Sequence, residues 1–515
     1  MADLLSAEVT SHPGPFIGYQ LLNIITSGMY DDPLMVYREY VQNAVDSIDL
    51  ANQQGVLDRD QEAINMRIDG DSRSITIEDN GLGLPSRSAL EVLLNLGSSP
   101  KDGTEQRGFR GIGRLGGLAY CDFLTFETRS ANDDKVAVVE WDRRKLDAIC
   151  AGPEKKQTLS EVVNQITKTY LREPLSDDPS HFFRAKMNNV RRFHSDRLMS
   201  VKVVRDYLSQ VSPVSYDKDN FTYAQKIEEY FSNVPGFRNY RLTVNGKNVT
   251  RPYVDQIQIS TNSDDRIRDA EPFELPGTEG PLARGWYAVM DYRGALPQAV
   301  AMRGIRVRQG NIQVGDEFFL APLYLERRFA TWTIGEIQIS NHNIRPNARR
   351  DGFEQTPEYE SFLEQSSVLG RFLSQQCRKS SGQRSRYQAL ARKIEDLESN
   401  LDNHLAFIDQ EHQEQFLSSV RAKLENISLA LKSAGNYDGL GDKYLELQTK
   451  TNLLVENGSF LNSCVDGRTI RHIDKVDIIA KIVKGLYLEY AKCQSAEDLI
   501  QRVLKPFIRP GQRKP

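Results

Sequence analysis

The chain has 515 residues, 39% hydrophobic and 26% charged, which suits about three globular domains and excludes a disordered or collagen-like chain. Its 66 Lys and Arg against 70 Asp and Glu leave a net charge of −4, so no overall basic excess advertises nucleic acid, although a local basic groove stays open. The five cysteines (Cys121, Cys150, Cys377, Cys464 and Cys493) are scattered without a Cys-x-x-Cys pair, against a zinc ribbon or a disulfide framework.

The first fifteen residues lack a basic stretch backed by an apolar one, so no secretory signal is read there. GYQLLNIITSGM and PLMVYREYVQNAVDSIDLANQQ then carry apolar residues at helical spacing, while SITIEDNG and DFLTFETRS alternate as strands do. Between those strands lies NLGSSPKDGTEQRGFRGIGRLGG, whose turn-forming residues predict a loop rather than a regular element. Residues 152–180 are polar and read as a surface insertion or helix. A basic patch, Arg191 to Arg197, precedes the entrance to a second region. From about residue 200 to 375 strand patterns dominate (NYRLTVNGKNV, GWYAVMDYRG, GIRVRQGNIQVGD, TWTIGEIQIS), with the helical TYAQKIEEYFSNV among them. Beyond that, Tyr387, Leu390, Ile394, Leu397 and Leu401, and again Leu417, Val420, Leu424, Ile427 and Leu431, follow heptad spacing. A hairpin within one chain and a coiled coil between chains both fit that pattern. No apolar run reaches the ~20 residues that span a bilayer, so a soluble, cytoplasmic protein without a membrane partner is expected.

Three short motifs carry the chemistry. Glu39 and Asn43 in REYVQNAVD are four apart, on one helix face, with Asp46 one turn further. The carboxamide oxygen of Asn43 could ligate Mg²⁺ while Glu39 polarises a water; a solvated helix face has the same spacing. Asp79-Asn80-Gly81-Leu82-Gly83 ends the strand SITIED, where a carboxylate could accept from an exocyclic amine beside close-approaching backbone, or simply end a strand in a turn. Gly108, Gly111 and Gly113 sit in GFRGIG, where successive backbone N–H groups suit phosphate. This stretch lacks the lysine of a P-loop and the strand context of a dinucleotide fold.

Helix E-x-x-x-N, strand D-x-G-x-G and loop G-x-x-G-x-G, in that order, resemble the GHKL ATPase superfamily: gyrase, the ninety-kilodalton heat-shock chaperone, sensor histidine kinases and MutL. The resemblance implies a Bergerat fold that binds ATP with Mg²⁺. Glu39 would be the general base, Asn43 would hold the metal, Asp79 would read the adenine amine, Gly83 would line the base pocket, and Gly108, Gly111 and Gly113 would cradle phosphates. Asp46 is counted with the nucleotide-binding set.

Within the superfamily, NLGSSPKDGT is similar to the chaperone family's lid sequence, with Asn95 at its start and Lys101 at the position of a nucleotide-contacting lysine. GIRVRQGNIQVGD and GEIQISNHNIRPNARRDGFE look like its middle domain, which implies an arginine reaching the γ-phosphate: Arg350, or Arg349 one residue earlier. Departures are a MutL-like GFRG, Arg114 in place of an aromatic residue, and no counterpart of a pocket threonine, whose place HFFRAKMNNV from His181 takes. The implied organisation is α+β: a Bergerat ATPase domain over 1–195, an α+β middle domain over 196–378 and an all-helical, coiled-coil-like dimerisation domain over 379–515. The implied function is an ATP-hydrolysing, chaperone-like clamp, a stress-response homodimer in the family's pattern, that remodels a client or dedicated partner protein. A DNA-associated clamp of the MutL or MORC kind is the alternative, favoured by the basic patches and opposed by the net charge.

Overall fold

The structure, a computed structural model, describes residues 18–20, 22, 32–96, 113–152, 157–192, 195–402, 410–434 and 439–457. The chain divides into two compact units, Met1–Arg378 and Lys379–Pro515.

In the first unit, helix α1 (Met35–Gln53) turns Val36, Tyr37, Tyr40, Val41, Ala44, Val45, Ile48 and Ala51 inward at steps of three and four, as its sequence demands. Strands β1 (Ile64–Asp69) and β2 (Ser74–Asp79) form an antiparallel hairpin whose alternate residues are buried, ending with Asp79 on the inner face. Helix α2 (Ser86–Leu94) is followed by a short 3₁₀ helix, Gly113–Ala119. After them come β3 (Cys121–Arg129), β4 (Val136–Asp142), α3 (Arg143–Ala151), α4 (Leu159–Ile166), β5 (Thr167–Arg172) and β6 (Phe182–Val190). Asp142 caps α3 by accepting from the backbone of Arg144 and Lys145, and Thr158 with Glu161 forms a reciprocal capping box on α4. The stretch read as a polar surface insertion thus supplies a helix and an edge strand. Polar composition hides β5 because four of its six residues are exposed.

Helices α5 (Val201–Val211) and α6 (Ala224–Phe231) lead to β7 (Leu242–Val244) and β8 (Lys247–Asn248). The sheet order is β5-β4-β3-β6-β2-β1-β7-β8, antiparallel throughout except for β1 and β7, where Ile64 faces Leu242 and Met66 faces Val244 in parallel register. The first sheet therefore takes strands from beyond residue 195, and Val204, Leu208 and Leu242 share its core with α1.

A second sheet, ordered β11-β12-β15-β13-β14, is built from β11 (Asp269–Leu275), β12 (Ala283–Val289), β13 (Gly304–Gln309), β14 (Ile312–Val314) and β15 (Ile334–Ile339). The small hairpin of β9 (Gln256–Ser260) and β10 (Ser263–Arg266) precedes it. Its core joins Phe221, Tyr253, Trp286, Val307 and Ile337 to Phe362, Leu373 and Cys377 of the long helix Pro357–Asp402.

In the second unit, Leu390, Ile394, Leu397 and Leu401 meet Val420, Leu424 and Ile427 of Gln410–Ala434 and Leu440 and Leu447 of Leu440–Asn457 in one core. Most of the heptad residues are thus consumed within a single chain, as a helical hairpin with a third helix. Among the described residues no helix is long and apolar enough to cross a membrane. The α+β plan with a helical C-terminal part is that expected from the sequence.

Candidate functional site

Glu39 lies near the start of α1 with 9% of its surface exposed, and its Oε1 accepts no hydrogen bond among the described residues. Its nearest charge is Arg38, whose Nη2 stands 3.7 Å away while donating to the carbonyl of Arg349 at 2.9 Å. Asn43, one turn on, is half-buried, and Asp46 is buried. The far end of the helix is held too: Arg238 pairs with Asp49 and Glu62 and donates to Asn52 at 3.0 Å, and Tyr240 donates to Asp49 at 2.6 Å. The helix that carries the candidate base is clamped at both ends by residues 200 or more positions downstream of 38, which no local pattern announces.

Asp79 is buried at the end of β2 and accepts from the backbone N–H of Gly81 at 3.0 Å. The turn after it is fastened on every side. Leu82 N–H donates to the Ser47 carbonyl of α1 at 3.1 Å, and Asn80 spans Ala63 N–H and the Gln61 carbonyl at 2.9 and 2.7 Å. Thr128 accepts from Leu84 N–H at 2.8 Å and donates to the Phe182 carbonyl at 3.0 Å. Gly83 has φ +66°, and a Cβ there would run into the carbonyl of Arg129, so this glycine is required by backbone conformation and by close approach alike. His181 has its Nδ1 2.7 Å from the Gly81 carbonyl.

Asn95 immediately follows α2, and Gly113 opens the 3₁₀ helix; Lys101, Gly108 and Gly111 lie outside the described residues. Arg114 links Asn95 to α1. Its guanidinium donates to the Asn95 carbonyl, and its own carbonyl accepts from Tyr40 of α1 at 2.8 Å. Burial pulls the Arg114 guanidinium down to about 10.

Arg350 is buried with φ +54° in a tight loop: its N–H donates to Asn347 O at 3.1 Å and its carbonyl accepts from Gly315 at 2.9 Å. Arg349 is exposed and offers only its carbonyl to Arg38. Arg38, Tyr40, Ser47 and Thr128 organise these elements and were not singled out by sequence motifs, because hydrogen bonds to distant carbonyls leave no spacing signature. Two arginines of the basic patch are paired, Arg191 with Asp122 and Asp147 at 3.0 and 2.8 Å and Arg197 with Asp32 at 3.0 Å, while Arg192 is exposed.

Residues 35–170 match the family model described as "Histidine kinase-, DNA gyrase B-, and HSP90-like ATPase". The Chaperone protein HtpG of Psychrobacter cryohalolentis is 27% identical over 218 residues, 38% of this chain and 32% of that protein. Those of Polaromonas sp. and Acinetobacter baylyi are 32% and 30% identical over 143 residues, in each case 24% of this chain and 22% of the relative. The chain spans less than a third of the length of these relatives.

Proposed function

We propose, from the premise that residues 35–170 belong to the histidine kinase-, DNA gyrase B- and HSP90-like ATPase family, that this chain binds ATP and hydrolyses it to ADP and phosphate. The observation that carries the reading is Glu39. It is a buried carboxylate with an oxygen left without a hydrogen bond, one helical turn from Asn43 and tied through Arg38 to the loop of Arg349 and Arg350. A buried acceptor without a donor is costly unless something outside the protein fills the place.

In this reading Glu39 takes a proton from water as the water attacks the γ-phosphorus and the bond to the bridging oxygen breaks. Asp79 accepts the adenine amine, with the Gly81–Gly83 backbone against the ring. Arg350, the buried member of its pair, lends positive charge to the γ-phosphate. Mg²⁺, held by the Asn43 carboxamide and otherwise by phosphate and water, would neutralise the phosphate oxygens. Such an ion does not need a cage of protein carboxylates, and no cluster of three His, Cys, Asp or Glu able to hold a metal occurs among the described residues. Asn95 and Gly113 flank the nucleotide, with Lys101, Gly108 and Gly111 assigned to it by motif.

The name of the relatives, a chaperone protein, supports a protein client for the ATPase cycle, and a homodimer acting in the cytoplasm completes this reading. The paired state of Arg191 and Arg197 weighs against a DNA clamp. The test is phosphate release and nucleotide titration on the full chain, with and without an unfolded protein or duplex DNA. Glu39→Gln is expected to lose at least ~100-fold in turnover while retaining nucleotide, and Asp79→Asn to lose nucleotide itself. Parental turnover in Glu39→Gln would remove Glu39 from the reaction. Steeply salt-dependent stimulation by DNA, with none by protein, would favour the clamp.

A further inference from the structure

The long helix Pro357–Asp402 contains a stretch, residues 365–394, that holds seven Lys and Arg and no Asp or Glu, in a chain whose net charge is −4. Cations are therefore segregated here and are not part of a general surplus. In the part of the stretch that belongs to the second unit, Lys379, Arg386, Arg392 and Lys393 are exposed and pair with no carboxylate among the described residues. Elsewhere on the same helix charges are matched: Arg378 pairs with Glu326 at 2.7 Å, and Lys450 takes Glu398 and Asp402 at 3.6 and 3.1 Å. The second-unit residues outside the described ranges carry 11 Lys and Arg against 8 Asp and Glu, so their composition adds to this positive charge and does not offset it.

Spacing and company specify the partner. Lys379, Arg386 and Lys393 stand seven residues apart, which puts a cation every ~10.5 Å along one stripe, with Arg392 beside it, while Leu390, Ile394 and Leu397 turn into the core. Over the same ~21 Å from first to last, a nucleic-acid duplex presents about a dozen phosphates. The exposed residues between the cations include Gln383, Ser385 and Gln388, which can donate to phosphate oxygens. Tyr387 is the only aromatic residue in 379–393. A protein interface is built on aromatic and apolar anchors and is poor in lysine, and a single-strand site needs successive aromatic platforms. The major groove of B-form DNA is wide enough for a helix, and that of A-form RNA is not.

We propose that residues 379–393 form a docking surface for duplex DNA, held through its phosphate backbone without regard to sequence. The cations displace condensed counterions from the duplex, and the salt dependence of binding reports how many of them take part. The pairing of Arg191 and Arg197 bears on the first unit alone, and nothing in the ATP reading uses this helix face.

The experiment is fluorescence anisotropy of two labelled duplexes of unrelated sequence titrated with the full chain, without nucleotide, between ~50 and ~200 mM salt. The parental protein is compared with a quadruple variant (Lys379→Gln, Arg386→Gln, Arg392→Gln, Lys393→Gln) and with a control of equal charge loss on exposed cations elsewhere in the unit (Arg421→Gln, Lys423→Gln, Lys432→Gln, Lys443→Gln). Glutamine suits a helix nearly as well as lysine or arginine, and thermal unfolding is followed alongside. The quadruple variant is expected to flatten the plot of log affinity against log salt by about 3 to 4 and to bind at least ~tenfold more weakly at low salt, with the control within about twofold of the parent. No duplex binding by the parental chain, or equal losses in the two variants, overturns the proposal. So does single-stranded DNA or duplex RNA bound as tightly as duplex DNA, and so does displacement of the DNA by an equal charge of polyglutamate, which would assign the surface to an acidic protein. Should the quadruple variant fail to fold, the double variant Lys379→Gln, Arg386→Gln is expected to lose about half as much slope, and an unchanged slope overturns the proposal. Because no nucleotide is present, these outcomes leave the ATP reading where it stands.

Discussion

Two buried charged clusters in the first unit have opposite character. In the second sheet, Glu336 is fully enclosed between Arg251 and Arg308. Its two oxygens accept from Arg251, from Arg308 at 3.0 Å, and from the hydroxyls of Tyr216 and Tyr253 at 2.8 and 2.9 Å. The arginines spend their remaining donors on the carbonyls of Val214, Ser212, Gln210 and Asn311 and on the Asn311 side chain. Around Glu39, by contrast, Glu39 Oε1, Arg38 Nε and Gln42 Oε1 are all shielded and lack hydrogen bonds among the described residues. Buried polar groups in native proteins are almost always satisfied. The closed cluster therefore reads as architecture and the open one as a place prepared for a ligand.

The contrast is broken most directly by removing each carboxylate in turn. Glu336→Gln leaves two enclosed arginines without their counter-charge and is expected to cost ~3–5 kcal/mol in denaturant unfolding. Glu39→Gln removes a group whose arginine neighbour, Arg38, stands 3.7 Å away and also donates to the Arg349 carbonyl, and it is expected to stay within ~1 kcal/mol of the parent, or to gain stability, as substitutions of functional groups often do. Equal losses in the two variants would erase the distinction drawn here.

Gly83→Ala tests the turn that joins the site to the sheet. With φ +66° and the Arg129 carbonyl in the way, a methyl group there is expected to cost ~1–3 kcal/mol and to weaken adenosine along with ATP. Unaltered melting and binding would show that the backbone moves aside freely.

The smallest effect is on pH. Burial alone would raise the Glu336 carboxyl, but Arg251 and Arg308 outweigh it and hold the group below the usual range. A lowered folded-state value means that this contribution is present above the unfolded carboxylate value of about 4.3 and fades as pH falls through the lower folded value. Parental stability should therefore fall more steeply than that of Glu336→Gln as acid is added below about pH 4, read as denaturant midpoints across a pH series. Parallel curves would mean that Glu336 is not held ionised by its neighbours.

The legible parts of the molecule were those written in short spacing. Glu39 and Asn43 share a helix because α1 has an uninterrupted apolar stripe, and Asp79 falls at a strand end because SITIED alternates and then meets glycine. The heptads declared helices but not their partners, which packing within one chain supplied for Leu390 to Leu401. Strand β5 was missed because an edge strand with a polar, exposed surface lacks the apolar alternation by which strands are recognised.

The sequence alone determined which local elements form and which chemical groups they present, since helix periodicity, strand alternation and glycine turns depend only on neighbours a few residues apart. Tertiary structure alone decided that β7 extends the first sheet, that Arg38 reaches the Arg349 carbonyl, that Thr128 fastens the turn after Asp79, and that Arg251 and Arg308 share one carboxylate. The physical reason is that the state of a buried charge is set by whatever lies within a few ångströms of it, and those neighbours come from segments the chain brings together only on folding.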